Sequence, residues 1–448
     1  MQNIEAFKTK LLEKAKAAGF ENAEFYYQSS VNRKINVYEG SVEKNQSSST
    51  GGFAFRGLYN GKMGNYYSEL IDESVIDTVL ENAKQNAALI ETDEQEFIYS
   101  GGGDYADINT YDEELSKITA EELAEYAKEL EKAVFAADSR ITKVLASMVS
   151  LGESYVSIGN TNGLDLSEKS NYIVAYTDCV AEENGSTKEN GDFAFCTHKK
   201  DLNIAETGRK AAEKTLAMLG ADSVQTGTYD VIIENEALAD LLDSYIGNFY
   251  GENVQKGFSL LKDRIGEKIA DERITLVDDP HIAGGMGTTI FDSEGVPTQK
   301  NVLIENGMLK MFLHNLKSAA AAGAEPTGSG FKPSYKGTVG ISATNLYIKA
   351  GDTPKEELLA QLKNGLLITE LSGLHAGTNS VSGDFSLLAS GFEVKDGKIS
   401  APVEQITAAD NFYKLLNKVK LVGDDMKFNS GGVGAPSVLF ENISIAGK

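Results

Sequence analysis

The chain has 448 residues, 41% of them hydrophobic and 24% charged, with 66 acidic against 42 basic side chains and a formal charge of −24. Such a length supports two or three domains with cores of their own, and a field of this sign repels phosphate backbones, which argues against direct nucleic-acid binding. No window offers the ~18 uninterrupted apolar residues of a membrane span, so a soluble, cytoplasmic protein without a membrane partner is expected.

Ile4, Phe7, Leu11, Leu12 and Ala15 give the first helix an apolar stripe, and Gly19 ends it. Residues 25–31, 34–38 and 52–58 read as strands, with Asn60-Gly61 as a hairpin turn. A second helix follows, with Val75, Ile76, Val79, Leu80, Ala83 and Ala87 on one face. Ser100-Gly-Gly-Gly-Asp104 reads as a flexible joint and lacks the lysine of a phosphate-binding loop. Thr119-Ala-Glu-Glu122 is a capping box that opens a helix lined by Leu123, Tyr126, Ala127, Leu130 and Val134. A meander spans 141–198, turning at Asn162-Gly163 and Asn184-Gly185, and a further helix covers 205–219. Cys179 and Cys196 are the only cysteines, which suits reduced thiols better than a disulfide scaffold.

Residues 220–227 mark a junction, and beyond it the texture becomes strand-rich and glycine-rich. Val231, Ile232 and Ile233 read as a buried strand, and Asn235 as the cap of a helix that opens with Glu236. Leu238, Leu241, Leu242, Tyr245, Ile246 and Phe249 recur at helical spacing, so one face of that helix is buried. A strand running into a helix is a common mount for paired zinc-binding histidines, yet residues 229–251 contain no histidine. Farther on, hairpins turn at Asn306-Gly307 and Asp396-Gly397, and a short helix with a capping box and a first-turn proline starts at Thr353-Pro354. Another helix is expected over 410–420 and an edge or closing strand over 437–445. The fold class is therefore α+β: N-terminal helix-plus-antiparallel-sheet units (1–222, joint near 100–104), then a C-terminal β-rich, barrel-like domain (226–448).

Asp278-Asp279-Pro280-His281, with Asp292 and Glu294, is the one local set of possible metal ligands, but Asp-Asp-Pro is also a good turn. His314 and His375 stand far from it and read as structural or surface residues. The glycines of Thr327-Gly-Ser-Gly330 and Val381-Ser-Gly-Asp384 lack the spacing of a serine-nucleophile elbow and suit tight bends.

Several motifs then occur in series: Ile-Thr-Leu-Val-Asp-Asp-Pro at 274–280, Phe-Asp-Ser-Glu-Gly-Val-Pro-Thr at 291–298, and Leu-Ile-Glu-Asn-Gly-Met-Leu at 303–309. Pro-Thr-Gly-Ser-Gly at 326–330, Ser-Gly-Asp-Phe at 382–385 and the segment 443–447 follow in order. This succession resembles the TldD/PmbA family, also called modulators of DNA gyrase and regarded as peptidases, over essentially the whole chain. The resemblance implies two branches: TldD-type chains carry His-Glu-x-x-x-His and a C-terminal cysteine that bind zinc, and PmbA (TldE)-type chains lack them. Carried over without gaps from Arg264-Ile265-Gly266, the two imidazole positions fall at Leu242 and Gly247 and the glutamate position at Asp243, and no cysteine follows Cys196.

The chain is thus identified as resembling the PmbA (TldE) type, with no catalytic residue, metal or cofactor of its own. The resemblance implies a TldD-type zinc peptidase as heteromeric partner, or a homodimer where that partner is absent. It also implies an unfolded peptide substrate, matured or degraded in a shared groove. Asn379, Gly383, Asp384 and Phe385 are the expected groove-lining residues. Two readings of other classes stay open: a stand-alone peptide-binding regulator with an indirect gyrase link, and a self-sufficient hydrolase with an unfamiliar site.

Overall fold

The computed structural model describes residues 4–91 and 95–448. The first half comprises α1 (Ile4–Ala17), β1 (Asn22–Tyr38), β2 (Ser41–Tyr59), β3 (Lys62–Ser68), α2 (Ile76–Ala88), α3 (Glu113–Ser116), α4 (Ala120–Ala137), β4 (Ile141–Asn160), β5 (Asp165–Glu183), β6 (Ser186–Cys196) and α5 (Ile204–Ala217). Its strands form one six-stranded antiparallel sheet in the order β3-β2-β1-β4-β5-β6. The two helix-and-strand units of the sequence are therefore halves of a single sheet, joined where β1 pairs with β4. Helices α1 and α2 cover one end through Phe7, Phe25, Phe53 and Ile76; α4 and α5 cover the other through Leu123, Leu130, Ala211 and their strand neighbours.

The strands predicted over 25–31 and 34–38 are one continuous strand. Asn32 and Arg33 look like an interruption in sequence, but both stay in register with β2 and β4, and Arg33 donates to the Ile118 carbonyl at 2.9 Å. The capping box at Thr119 is present as expected. Asn60-Gly61, Asn184-Gly185, Asn306-Gly307 and Asp396-Gly397 all hold positive φ at both residues, as a type I′ hairpin turn requires. Both cysteines are free thiols.

The second half comprises β7 (Gly227–Ile233), α6 (Asn235–Asp243), α7 (Gly251–Gln255), β8 (Leu276–Asp278), β9 (Asn301–Glu305), β10 (Met308–Leu309), α8 (Leu316–Ala322), β11 (Gly330–Phe331), β12 (Gly340–Ile341), β13 (Leu346–Ile348), α9 (Lys355–Leu362), β14 (Gly365–Ser372), α10 (Leu374–Gly377), β15 (Asp384–Lys395), β16 (Lys398–Asn411), α11 (Phe412–Leu415), β17 (Val419–Val422), β18 (Lys427–Phe428), β19 (Gly434–Ala435) and β20 (Val438–Ala446). Strands β16-β15-β14-β7-β20 form a barrel that closes through β16–β20 pairing. The strand expected over 437–445 is thus a closing strand, which leaves the barrel no open edge on that side.

Two local expectations change. The helix predicted over 410–420 is the single turn α11. Asp410 and Asn411 remain in β16, paired with Phe385 and Asp384, and β17 takes the other end. Pairing across the barrel wins over helical periodicity there. Thr353 makes no capping box either: Pro354 is the cap residue of α9 with no side-chain bond, and the Thr353 carbonyl accepts Asp424 N–H at 3.1 Å.

A buried charge cluster lies on the seam between the halves. Glu24 on β1 is fully buried, and its carboxylate receives Arg56 Nε at 2.7 Å and Nη2 at 3.0 Å. Arg56 Nη1 lies 3.9 Å from Glu294, whose other oxygen accepts Leu316 N–H at 2.8 Å. Breaking such a pair strands a charge, whereas replacing both members need not. Glu24→Gln should therefore cost about 3 kcal/mol or more in urea unfolding, and Glu24→Leu combined with Arg56→Met should recover most of that loss.

Candidate functional site

Strand β7 feeds α6 directly into the C-terminal core. The expected cap is displaced by one residue: Glu234 occupies the cap position without a side-chain bond, and Asn235 is the first helical residue. Asn235 still accepts Glu236 N–H at 2.7 Å, while its Nδ2 donates to the Asp425 carbonyl at 2.7 Å. Leu238, Leu241, Leu242 and Tyr245 are all buried. The Tyr245 ring stacks on Phe412 with centroids 4.4 Å apart, and its hydroxyl donates to the Asp384 carbonyl at 3.0 Å.

The opposite face of α6 is polar. Asp240, Asp243 and Ser244, at the i, i+3, i+4 spacing that shares one helical face, line a cavity of about 490 Å³ with Leu374, His375, Thr378 and Ser380. Asn429 donates to Asp240 at 2.9 Å. Burial raises the pKa of both aspartates, and the neighbouring carboxylates add to the rise at Asp240. His375, read from sequence as structural or surface, is exposed and stands at the rim of this cavity.

These residues do not fit zinc. Leu242, at one imidazole position, points into the core with 1% exposure. Gly247, at the other, has no side chain and faces Asn253. Asp243 is a lone carboxylate at the glutamate position, and no group of three His, Cys, Asp or Glu among the described residues could hold a metal ion. The Asp-Asp-Pro segment behaves as a turn: Asp279 accepts His281 N–H at 3.1 Å, and Asp278 accepts the Thr344 N–H and hydroxyl at 2.7 and 2.8 Å. Burial lifts the Asp278 carboxyl to about 6. His314 is buried against Ser318 at 3.1 Å, and burial lowers its pKa.

Asn379 and Gly383 belong to one tight turn and Asp384 and Phe385 open β15 directly after it; the lining of the α6 cavity takes in the adjacent Thr378 and Ser380 and none of these four. Asn379 Oδ1 accepts the Val381 and Ser382 N–H groups, both at 3.0 Å. Gly383 sits at φ +83° with the Tyr413 ring where a Cβ would project. Asp384 is exposed and accepts Asn411 Nδ2 at 2.9 Å, whereas Phe385 is buried in the core.

A second cavity, of about 1170 Å³, lies between the halves. Its walls come from β2, β3, α7, α8 and the connection from β11 to β12, segments with no shared local motif. The charge cluster forms one side: Arg56, Glu294 and Lys332 all line it. The Lys332 ammonium lies over the Tyr26 ring, 4.6 Å from its centroid. Desolvation first, then repulsion from Arg56, lowers its pKa to about 8. Asp292 and Glu294 are both raised, in each case chiefly by burial; the neighbouring Glu294 charge adds to the rise at Asp292. The predicted joint at 100–104 packs against the turn that carries Asp292 and Glu294: a Cβ on Gly103 would meet Pro297 at 2.2 Å, and Tyr105 donates to the Gly295 carbonyl at 2.8 Å.

Three family models tile the chain: PmbA/TldA metallopeptidase domain 1 at 23–87, its central domain at 113–219 and its C-terminal domain at 226–447. The chain belongs to the PmbA/TldD metallopeptidase family. Within it, a crystal structure from Thermotoga maritima described as a modulator of a DNA gyrase superposes with a TM-score of 0.93 at 33% identity, covering 99% of this chain and 100% of that one. A metalloprotease TldD homologue of Buchnera aphidicola subsp. Acyrthosiphon pisum is 28% identical over 337 residues, 69% of each chain. The PmbA homologue of the same organism is 28% identical over 319 residues, 71% of this chain and 69% of that one. Members of both names therefore coexist in one organism. Among the described residues of this PmbA/TldD chain, no helix is long and apolar enough to cross a membrane.

Two outcomes are expected. Leu242→His with Gly247→His should bind no stoichiometric zinc by elemental analysis, and it should lose about 2 kcal/mol or more in urea unfolding because the imidazole at 242 enters the core. Because the folded-state pKa of Lys332 lies below its unfolded value of 10.5, the unfolded chain binds the extra proton between about pH 8 and 10.5. Stability should therefore rise with pH across that window, and Lys332→Met should remove this part of the rise from the urea midpoints.

Proposed function

We propose that this chain is a PmbA (TldE)-like, non-catalytic subunit of a zinc metallopeptidase complex that matures or degrades extended peptides. The observation that carries the reading is that Leu242 on α6 is core and Gly247, in the turn beyond the end of α6, is bare where the zinc-binding branch would carry imidazoles. A TldD-type partner then brings the zinc, and this chain contributes part of the enclosure around the substrate. When that partner is absent, two copies of this chain associate through the same surface.

An extended peptide is the substrate class because it alone presents a backbone edge and side chains together. The α6 cavity supports a part in holding it. Asp240 and Asp243 offer acceptors for backbone N–H groups, and the turn at 379–384 borders them with further polar groups. No proton transfer or nucleophilic step is assigned to these residues.

The test is reconstitution. The isolated chain should contain no stoichiometric zinc and should leave an unfolded substrate such as casein intact. Mixing it with a His-Glu-x-x-x-His homologue should give a stable heteromer by size exclusion and hydrolysis abolished by chelation. Casein cleavage by the isolated, zinc-loaded chain would overturn the reading.

A further inference from the structure

Among the described residues, Lys332 lines the larger cavity without an ion-pair partner. Of its other basic residues, Arg56 is held by Glu24, Lys256 pairs with Glu252 at 2.6 Å, Lys336 pairs with Glu69 at 2.8 Å, and Lys317 is engaged as well. Lys332 differs: among the described residues its ammonium makes no ion pair, only the contact with the Tyr26 ring. Arg56 repels it, while Glu24 and Glu294 attract it from beyond ion-pair range with carboxylates already engaged by Arg56 and by Leu316 N–H. A partly desolvated ammonium without a direct ion-pair partner is costly, and an entering anion would relieve that cost. The cavity walls mix polar side chains with aromatic ones, Phe55, Tyr66, Phe97 and Tyr335 among them. Charge complementarity and the aromatic side chains in the wall together describe a group with a carboxylate at one end and an apolar side chain beside it.

We propose that this cavity binds the C-terminal carboxylate of a peptide, with Lys332 as its ion-pair partner and the aromatic wall receiving the last side chain. The site would hold a chain end away from the α6 cavity, giving the peptide a fixed terminus. This assignment rests on the peptide-handling reading above but not on where the zinc resides.

Calorimetry on the full chain tests it, with N-acetyl-Ala-Ala-Phe as the free acid, the same tripeptide as its C-terminal amide, and sodium acetate as probes. The acid should bind about tenfold or more tightly than the amide, the margin of one charge-assisted contact. At pH 8 its binding should take up protons, seen as a dependence of the heat on buffer ionisation, because the carboxylate stabilises the charged amine. Lys332→Met should abolish both the preference and the proton uptake; Lys332→Arg should keep the preference. Equal binding of acid and amide, or a preference that survives in Lys332→Met, would overturn the assignment. So would acetate binding as tightly as the peptide acid, which would mark a small-anion site. If none of the probes binds while the reconstituted heteromer still cleaves casein, this site falls and the subunit reading stands.

Discussion

The burial of one face of α6 is the constraint on which the functional reading depends. Strand β7 is a wall of the closed barrel, paired with β14 on one side and β20 on the other, so its direction is fixed. The helix that leaves it has no freedom to rotate, because Leu238, Leu241, Leu242 and Tyr245 are all packed into one core. A metal ligand at 242 would have to replace core volume with an imidazole, whereas Asp240 and Asp243 reach a cavity. The chemistry open to this chain is thus decided by helix phase as much as by residue type.

The seam between the halves follows a different logic. Glu24 and Arg56 come from the N-terminal sheet, Asp292 and Glu294 from a turn of the C-terminal half, and Lys332 from the connection between β11 and β12. Asp292 accepts N–H groups of Gly330, Glu294 and Val296 at 2.8, 2.9 and 3.0 Å, which locks the turn. Removing these charges from water is offset only by mutual pairing, so the two halves are held in one relative position. Arg56 is paired with Glu24 and stands 3.9 Å from Glu294, while Lys332 lines the larger cavity with its ammonium over the Tyr26 ring. Arg56 and Glu294 thus belong both to the seam and to the wall of the larger cavity.

Several features were readable because their causes are local. The capping box at Thr119 needs only residues within four of it, and the Asn-Gly and Asp-Gly hairpins need only positive φ at adjacent positions. The buried stripe of α6 was equally plain from leucine spacing. The misreadings share a cause too: Asp410 and Asn411 look helical in sequence, but their partners, Phe385 and Asp384, lie some 25 residues away and hold them in a strand. The α6 cavity was half visible, since Asp243 stands in the helix, while His375 read as a structural or surface residue and its place at the cavity rim was not evident. Nothing local announced the larger cavity, whose walls come from segments scattered between residues 54 and 339.

What the chain's order of residues determined by itself was the α+β class, the family motifs in series and the missing imidazoles, because these depend on residue identity and short-range periodicity. What only the tertiary structure decided was where charges meet. Glu24 and Arg56 are 32 positions apart and meet across the β1–β2 pair, whereas Glu294 and Lys332 come from the other half of the chain and feel those charges only where the sheet and the barrel pack together. Coulombic interactions act through space and desolvation acts through burial; neither has a period along the sequence.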